Sequence, residues 1–376
     1  VPPPLPAPAL VDPLGATRTD ESLLDAVQSE LTAFLDARST DAAAIDPLFA
    51  DATRSLARFV LDGGKRVRPT FAWWGWRGAG GDPDDPVAPA VVRAISALEL
   101  LQACALIHDD LIDASATRRG KPTVHVEFAR RHADANWRGT PARFGAAAAV
   151  LLGDLALAWA DDLLRDAGLP PAALARTTAP WAAMRTEVMG GQFLDVLFQA
   201  TGDPSTRAAL RIDRFKTAAY TVERPLHLGA AIAGAGPELI GAYRRFGADI
   251  GVAFQLRDDL LGVFGDPAVT GKPAGDDLRE GKRTLLLAIA EEHAERRGRT
   301  SAKDVIEAAV GDPDLDADGV EAVRGLLVEL GAVDAVEDRI AELTASALDA
   351  LATAAVAEPA AARLADLAVA TTRRQS

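Results

Sequence analysis

Cysteine is nearly absent from this chain: Cys104 is the only one among 376 residues. An intrachain disulfide is therefore excluded, and no Cys/His grouping has zinc spacing. The composition suits a reducing cytoplasm. Positive charge is also in short supply. A net charge of −14 leaves no basic face for non-specific nucleic-acid binding and repels anionic substrates at long range. Short-range cations can still overcome that repulsion, because the Debye length is only about 8 Å at physiological salt. Long uninterrupted apolar runs are missing. The most apolar stretch, Phe144 to Ala160, is broken by Asp154 and reads as a buried core helix rather than a membrane span. Alternating β-branched runs are missing too, which argues against a sheet.

What is present is helical period, rich in Ala and Leu, from one end to the other. The pattern predicts an all-α fold, a single helical domain over 19–376. It is preceded by a disordered proline-rich tail over 1–18 that has no cationic signal-peptide start. Helices are expected over Pro47–Leu61, Pro69–Trp76, Pro86–Asp113, Ala142–Asp166, Pro170–Phe198, Ile212–Ala233 and Pro237–Gly262, among others. Pro180 and Pro225 fall inside two of these and should kink or split them.

Two acidic clusters, each followed by a basic, glycine-containing stretch, carry most of the chemistry. The first reads His108-Asp109-Asp110-Leu111-Ile112-Asp113, followed by Arg118-Arg119-Gly120-Lys121. The second reads Gln255-Leu256-Arg257-Asp258-Asp259, followed by Gly271-Lys272-Pro273 and Gly281-Lys282-Arg283-Thr284. Asp109 and Asp113 lie one helical turn apart and point the same way. Paired carboxylates suit hard cations such as Mg²⁺, which keeps water and shares its coordination with substrate phosphates. Lys and Arg beside them bind the same phosphates. Lys65, Arg66 and Arg68 follow Gly63-Gly64 at a helix start, where backbone N–H groups and three cations would converge on an anion.

Similar patterns elsewhere have simpler readings. Asp161-Asp162 reads as a solvated helix end. Asp314 to Gly319 imitates an EF-hand start, but Gly325 stands where a bidentate Glu is required, so an acidic turn and helix cap is expected. Gly275 to Lys282 resembles a P-loop with its glycines one residue too far apart and Arg283 in place of Ser/Thr.

Together these motifs resemble the trans-isoprenyl diphosphate synthases, the polyprenyl synthetase family, over roughly Leu56 to Ala290. The stretch Glu99 to Asp110 looks most like bacterial geranylgeranyl diphosphate synthases. The resemblance implies an all-α bundle around a deep central cavity, a homodimer, and isopentenyl and allylic diphosphates as substrates. It implies Mg²⁺, three ions per active site with substrate bound, on Asp109, Asp113 and Asp258 with Asp110 and Asp259 beside them. Lys65, Arg68, Gln102 and Arg119 match residues that hold isopentenyl diphosphate. Gln102 stands where many relatives have His. Arg118, Lys216, Thr217, Gln255, Lys272 and Lys282 match residues that hold the allylic diphosphate; Lys216 and Lys272 join Asp109, Asp113 and Asp258 as the catalytic set. Gly262 departs from the family, where many members have the last Asp of the second motif.

The implied reaction is ionisation of the allylic diphosphate, attack by isopentenyl diphosphate and proton loss. A class I terpene cyclase would not need Lys65, Arg68 and Arg119, and a silent subunit of a hetero-oligomer should have lost an acidic motif. Ala105, Cys104 and Leu101 lie four, five and eight residues before Asp109 and should border the growing tail. Family members that stop at fifteen carbons carry an aromatic residue at the first or second of these positions. Small Ala105 and Cys104 predict a twenty-carbon product, with Leu101 or a facing helix as the floor; farnesyl and longer products are the alternatives.

Overall fold

Local signals place the helix ends. The Asp46 carboxylate accepts a hydrogen bond from the Leu48 N–H just ahead of Pro47, Ser205 caps Ala208, and Thr284 caps Leu287. Gly202 and Gly234 end two helices in the left-handed conformation, which glycine adopts without a Cβ penalty. The computed structural model describes residues 20, 22–265 and 275–373. The proline-rich segment 1–18 and Lys272 lie outside them.

The first helices are α1 (Leu23–Ile45), α2 (Pro47–Leu61), α3 (Val67–Gly78) and α4 (Ala88–Ile112). A short antiparallel hairpin follows, β1 (Thr117–Arg118) and β2 (Lys121–Pro122), with Arg118 opposite Lys121. Next come α5 (Val124–Asp134), α6 (Pro141–Arg165), α7 (Pro171–Thr201) and α8 (Thr206–Ile212). A π-helical segment, Asp213–Glu223, runs straight into α9 (Arg224–Ala233), and α10 (Pro237–Phe264) and α11 (Asp276–Arg279) come after it. The remaining helices are α12 (Leu285–Arg296), α13 (Thr300–Ala309), α14 (Ala317–Glu329), α15 (Ala332–Ala352) and α16 (Ala360–Thr372).

Helix α4 runs through the core, with Ile95, Leu98, Leu101 and Cys104 fully buried, and it packs most extensively on α6. A second apolar cluster joins α10 to α12, α14 and α15 through Leu256, Leu286, Leu327 and Ile340. Glycines let backbones touch where the π-helical segment is held. A Cβ on Gly191 of α7 would lie 2.2 Å from the Lys216 nitrogen, and one on Gly251 of α10 would lie 2.5 Å from Ala218 Cα. The segment carrying Lys216 is thus clamped from both sides.

Several sequence expectations change. The helix expected over Ile212–Ala233 divides into the π-helical segment and α9, and Pro225 sits at the junction where one register gives way to the other. Pro180 does not split α7, which continues through it. The apolar stretch Phe144 to Ala160 is buried along one face only: Leu152 and Ala156 are inside, while Leu151 is 68% exposed and Val150 44%. Asp161 is more than a solvated helix end, because it accepts hydrogen bonds from Trp181 Nε1 and Arg185 Nη1, both at 2.9 Å. The EF-hand imitation is a helix cap, with Asp316 accepting from the Gly319 N–H at 2.8 Å.

Candidate active site

The end of α4 and the hairpin after it build one wall of the site. Asp109 and Asp113 both line a cavity of about 780 Å³. Asp110, between them, turns aside and is 1% exposed. Its Oδ1 accepts from Arg118 Nε at 2.7 Å and lies 2.6 Å from Nη2. The hairpin therefore returns Arg118 onto the helix that precedes it. Asp109 Oδ1 is 2.9 Å from Lys216 Nζ, which also donates to Asp195 Oδ2 at 2.5 Å. Burial opposes the charge on Asp109, yet Lys216 and Arg118 beside it hold its pKa below the usual carboxylate range. Burial, and behind it the Asp109 charge, pushes Asp113 up to about 7.

The second wall comes from α10, α11 and the turn at Gly281. Asp258 and Asp259 line the same cavity with Gln255. Asp259 is 1% exposed and accepts from Gln255 Nε2 at 2.7 Å and from Lys282 Nζ at 3.1 Å. Burial pushes Asp258 up to about 7, with Lys282 opposing the shift. The charge on Lys282 is opposed by burial, but Asp277 and Asp259 raise its pKa overall.

Lys65, Arg68 and Gln102 line the same cavity. Arg68 stacks on the Tyr220 ring at 4.1 Å and donates to Thr221 Oγ1 at 2.8 Å. Tyr220 donates to Gln102 Oε1 at 3.0 Å. Arg66 does not join them. It adopts φ 48° and turns inward, donating to Glu99 at 2.6 Å and Gln28 at 2.7 Å. The three cations expected to converge are thus two, since a buried Arg–Glu pair consumes the third. Arg119 lies outside the cavity lining with its guanidinium against the bare backbone of Gly63 and Gly64. Burial and the neighbouring Arg118 lower its pKa.

Thr217 and Lys216 reach the cavity from the π-helical segment, as do Tyr220 and Thr221. Gln192, Asp195 and Asp213 line it too, although they fall outside both acidic motifs. Asp195 and Gln192 lie one turn apart on α7 beside Gly190-Gly191, a polar interruption of an otherwise apolar face that could have flagged them. Of the three residues expected along the tail path, only Ala105 lines the cavity, with Leu106 and Val188 near it. Cys104 and Leu101 are fully buried in the packing of α4, because the cavity face of the helix is narrower than the arc those positions span. Burial pushes the Cys104 thiol up to about 12, so it is a packed, inert thiol.

The donor set fits a hard cation. Its cavity-facing carboxylates are all oxygen donors, and Asp213, which lines the cavity with them, has its Oδ2 buried with no hydrogen-bond partner. Among the described residues no three His, Cys, Asp or Glu side chains are gathered closely enough to cage a metal alone. That arrangement suits Mg²⁺, which completes its octahedron with water and phosphate oxygens.

A helical bundle that lines one cavity with two carboxylate–lysine clusters and with Lys65, Arg68 and Gln102 is an enzyme of the isoprenoid-synthase type. Residues 51–322 match the polyprenyl synthetase family model. A geranylfarnesyl diphosphate synthase of Aeropyrum pernix is 34% identical over 286 residues, covering 74% of this chain and 80% of that protein. A (2E,6E)-farnesyl diphosphate synthase of Mycobacterium tuberculosis is 33% identical over 264 residues, covering 70% of this chain and 67% of that protein. The crystal structure of a geranylgeranyl pyrophosphate synthase from Corynebacterium glutamicum, complexed with isoprenyl diphosphate and magnesium, gives a TM-score of 0.90 at 47% identity. That comparison covers 94% of this chain and 99% of the other. The chain belongs to the polyprenyl synthetase family and is a prenyltransferase.

Proposed function

We propose that this prenyltransferase condenses isopentenyl diphosphate with an allylic diphosphate and stops mainly at the twenty-carbon geranylgeranyl diphosphate. The observation that carries the reading is one cavity lined by both acidic clusters with Lys216 and Lys282 and also by Lys65, Arg68 and Gln102. We read the first group as one anion-binding end and the second as the other.

At the first end, Lys216, Thr217, Gln255, Lys282 and Arg118 donate to the allylic diphosphate. Asp109, Asp113 and Asp258 would hold Mg²⁺, while Asp110 and Asp259 stand behind them and fix Arg118 and Lys282. Three Mg²⁺ ions held there with substrate would supply positive charge for the departing pyrophosphate. At the second end, Lys65, Arg68 and Gln102 position the isopentenyl double bond to attack the allylic carbon, with Arg119 closing over Gly63-Gly64. Proximity and exclusion of water do the rest, and the released pyrophosphate takes the proton. Small Ala105 leaves the tail path open at the depth where an aromatic residue would close it.

Incubation with isopentenyl diphosphate and each allylic starter, followed by sizing of the products, tests the reading. Twenty-carbon product supports it. Release of a cyclic hydrocarbon, or no turnover of isopentenyl diphosphate, overturns it.

The chain is further proposed to act in the cytoplasm as a homodimer, through the apolar faces of α6 and α7. Leu151 and Phe193 stand 68% and 67% exposed there, with Met189 and Val196 beside Phe193. Light scattering checks this: the parent should have twice the chain mass and Phe193→Asp should shift toward one chain.

A further inference from the structure

The second acidic cluster lacks a carboxylate one turn after Asp258. The first cluster places Asp113 four residues after Asp109, whereas the corresponding position on α10 is Gly262. Both Gly262 and Asp277 line the cavity. A Cβ built on Gly262 would lie 2.0 Å from Asp277 Oδ2 and 2.5 Å from its Cγ. The Asp277 carboxylate, brought in by α11 and 6% exposed, therefore fills the space that any side chain at 262 would need. The same Oδ2 lies 3.4 Å from Lys282 Nζ, and Lys282 also donates to Asp259.

We propose that Asp277 supplies the third carboxylate of the second cluster toward the diphosphate-bound Mg²⁺, and that residue 262 is glycine because that carboxylate occupies its place. This rests on the metal-dependent reading above. A donor contributed by a separate helix gives the cluster the charge of an acidic triad without a third Asp on α10. The inserted carboxylate also shares Lys282 with Asp259. The colliding atoms belong to the end of a side chain, so a methyl group at 262 turns the carboxylate away rather than unfolding the backbone.

The test is Mn²⁺ binding in the presence of inorganic pyrophosphate, read from the electron paramagnetic resonance of the free ion, with thermal unfolding measured in parallel. Outer and supporting ligands commonly change metal affinity 10–100-fold. Asp277→Asn should weaken Mn²⁺ binding by about tenfold or more. Gly262→Ala should do the same while keeping the parent's unfolding temperature, and it decides the matter if Asp277→Asn fails to fold. The exchange Gly262→Asp/Asp277→Ala, which returns the carboxylate to α10, should recover affinity to within about threefold of the parent. Parent-like Mn²⁺ binding by folded Asp277→Asn or by Gly262→Ala overturns the proposal. So does an exchange variant that binds no better than Asp277→Asn. A parent protein that binds no Mn²⁺ with pyrophosphate would instead refute the metal-dependent reading itself.

Discussion

The two acidic clusters reach a similar electrostatic arrangement by different routes. In each, the second Asp of the pair is 1% exposed and grips a cation: Asp110 holds Arg118, and Asp259 holds Lys282. In each, the first Asp lines the cavity. The first cluster is local, because Asp109 and Asp113 share the end of α4 and the hairpin returns Arg118 within a few residues. The second is assembled across α10, α11 and the turn at Gly281. Each cluster also needs a lysine from a distant element. Lys216 is held by Asp109 together with Asp195 of α7, so even the local cluster is completed by tertiary packing. A helix can place two carboxylates on one face. The buried counter-charge that makes them tolerable comes here from the hairpin and from distant lysines.

The largest expected effects come from removing the cavity-facing member of either cluster. Asp109→Ala and Asp258→Ala should each lower turnover by about 10²–10³-fold with the helical content retained, since losing one element of transition-state charge stabilisation costs that much. Circular dichroism and steady-state assays in Mg²⁺ check both. Near-normal turnover in one folded variant would show that the clusters are unequal and that this one does not hold the metal.

A smaller effect should separate the two ends of the cavity. Lys216→Gln removes a charge that faces Asp109 and Asp195, whereas Arg119→Ala removes one at the edge of Gly63-Gly64. The first should raise the apparent KM for the allylic substrate about tenfold, a charge-assisted hydrogen bond contributing roughly 1.5–3 kcal/mol. The second should raise that for isopentenyl diphosphate by a similar factor. Equal shifts on both substrates would merge the two ends into one.

The difference between the clusters is also the difference between what could and could not be read from sequence. Asp109, Asp113 and Asp258 were legible because i, i+4 spacing and an apolar approach survive in one dimension. The bundle was legible for the same reason, through helical period. The π-helical register of Asp213–Glu223 was not, because it depends on Gly191 and Gly251 admitting its backbone from two other helices. Arg66 was misplaced because its partner Glu99 lies 33 residues away in the core. Asp195 is one of two carboxylates on a long helix, unmarked until Lys216 arrives beside it. Gly262 looked like a loss, and only the position of Asp277 gives the absence a structural reason.

Product length probes the wall that neither cluster builds. Ala105 lines the cavity one turn before Asp109. Ala105→Phe should shift the main product from twenty to fifteen carbons while the diphosphate chemistry continues. Chromatographic sizing of the products checks it, and an unchanged distribution from an active variant would place the tail along another face.

The smallest expected effect on turnover lies away from both clusters, where a half-buried histidine packs beside the Arg224–Glu187 ion pair. His227 on α9 packs beside Arg224, whose Nη1 is 3.2 Å from its Nδ1. Burial and then Arg224 and Arg244 push its pKa down to about 4, with Glu223 and Glu187 opposing weakly. An unfolded histidine titrates near 6.5. Between these values the unfolded chain takes up a proton that the folded chain refuses. The stability associated with neutral His227 is therefore complete above about pH 6.5 and is lost as pH falls toward 4. Each unit of depression corresponds to at most about 1.4 kcal/mol, and the loss is of folding stability at acid pH rather than of turnover. Other groups add their own slopes, and comparison with His227→Gln removes them. Urea unfolding at pH 7.5 and pH 5 should show the parent losing more stability on acidification than the variant does. Parallel losses would mean that His227 accepts its proton in the folded state, with Arg224 drawn away by Glu187 to make room for it.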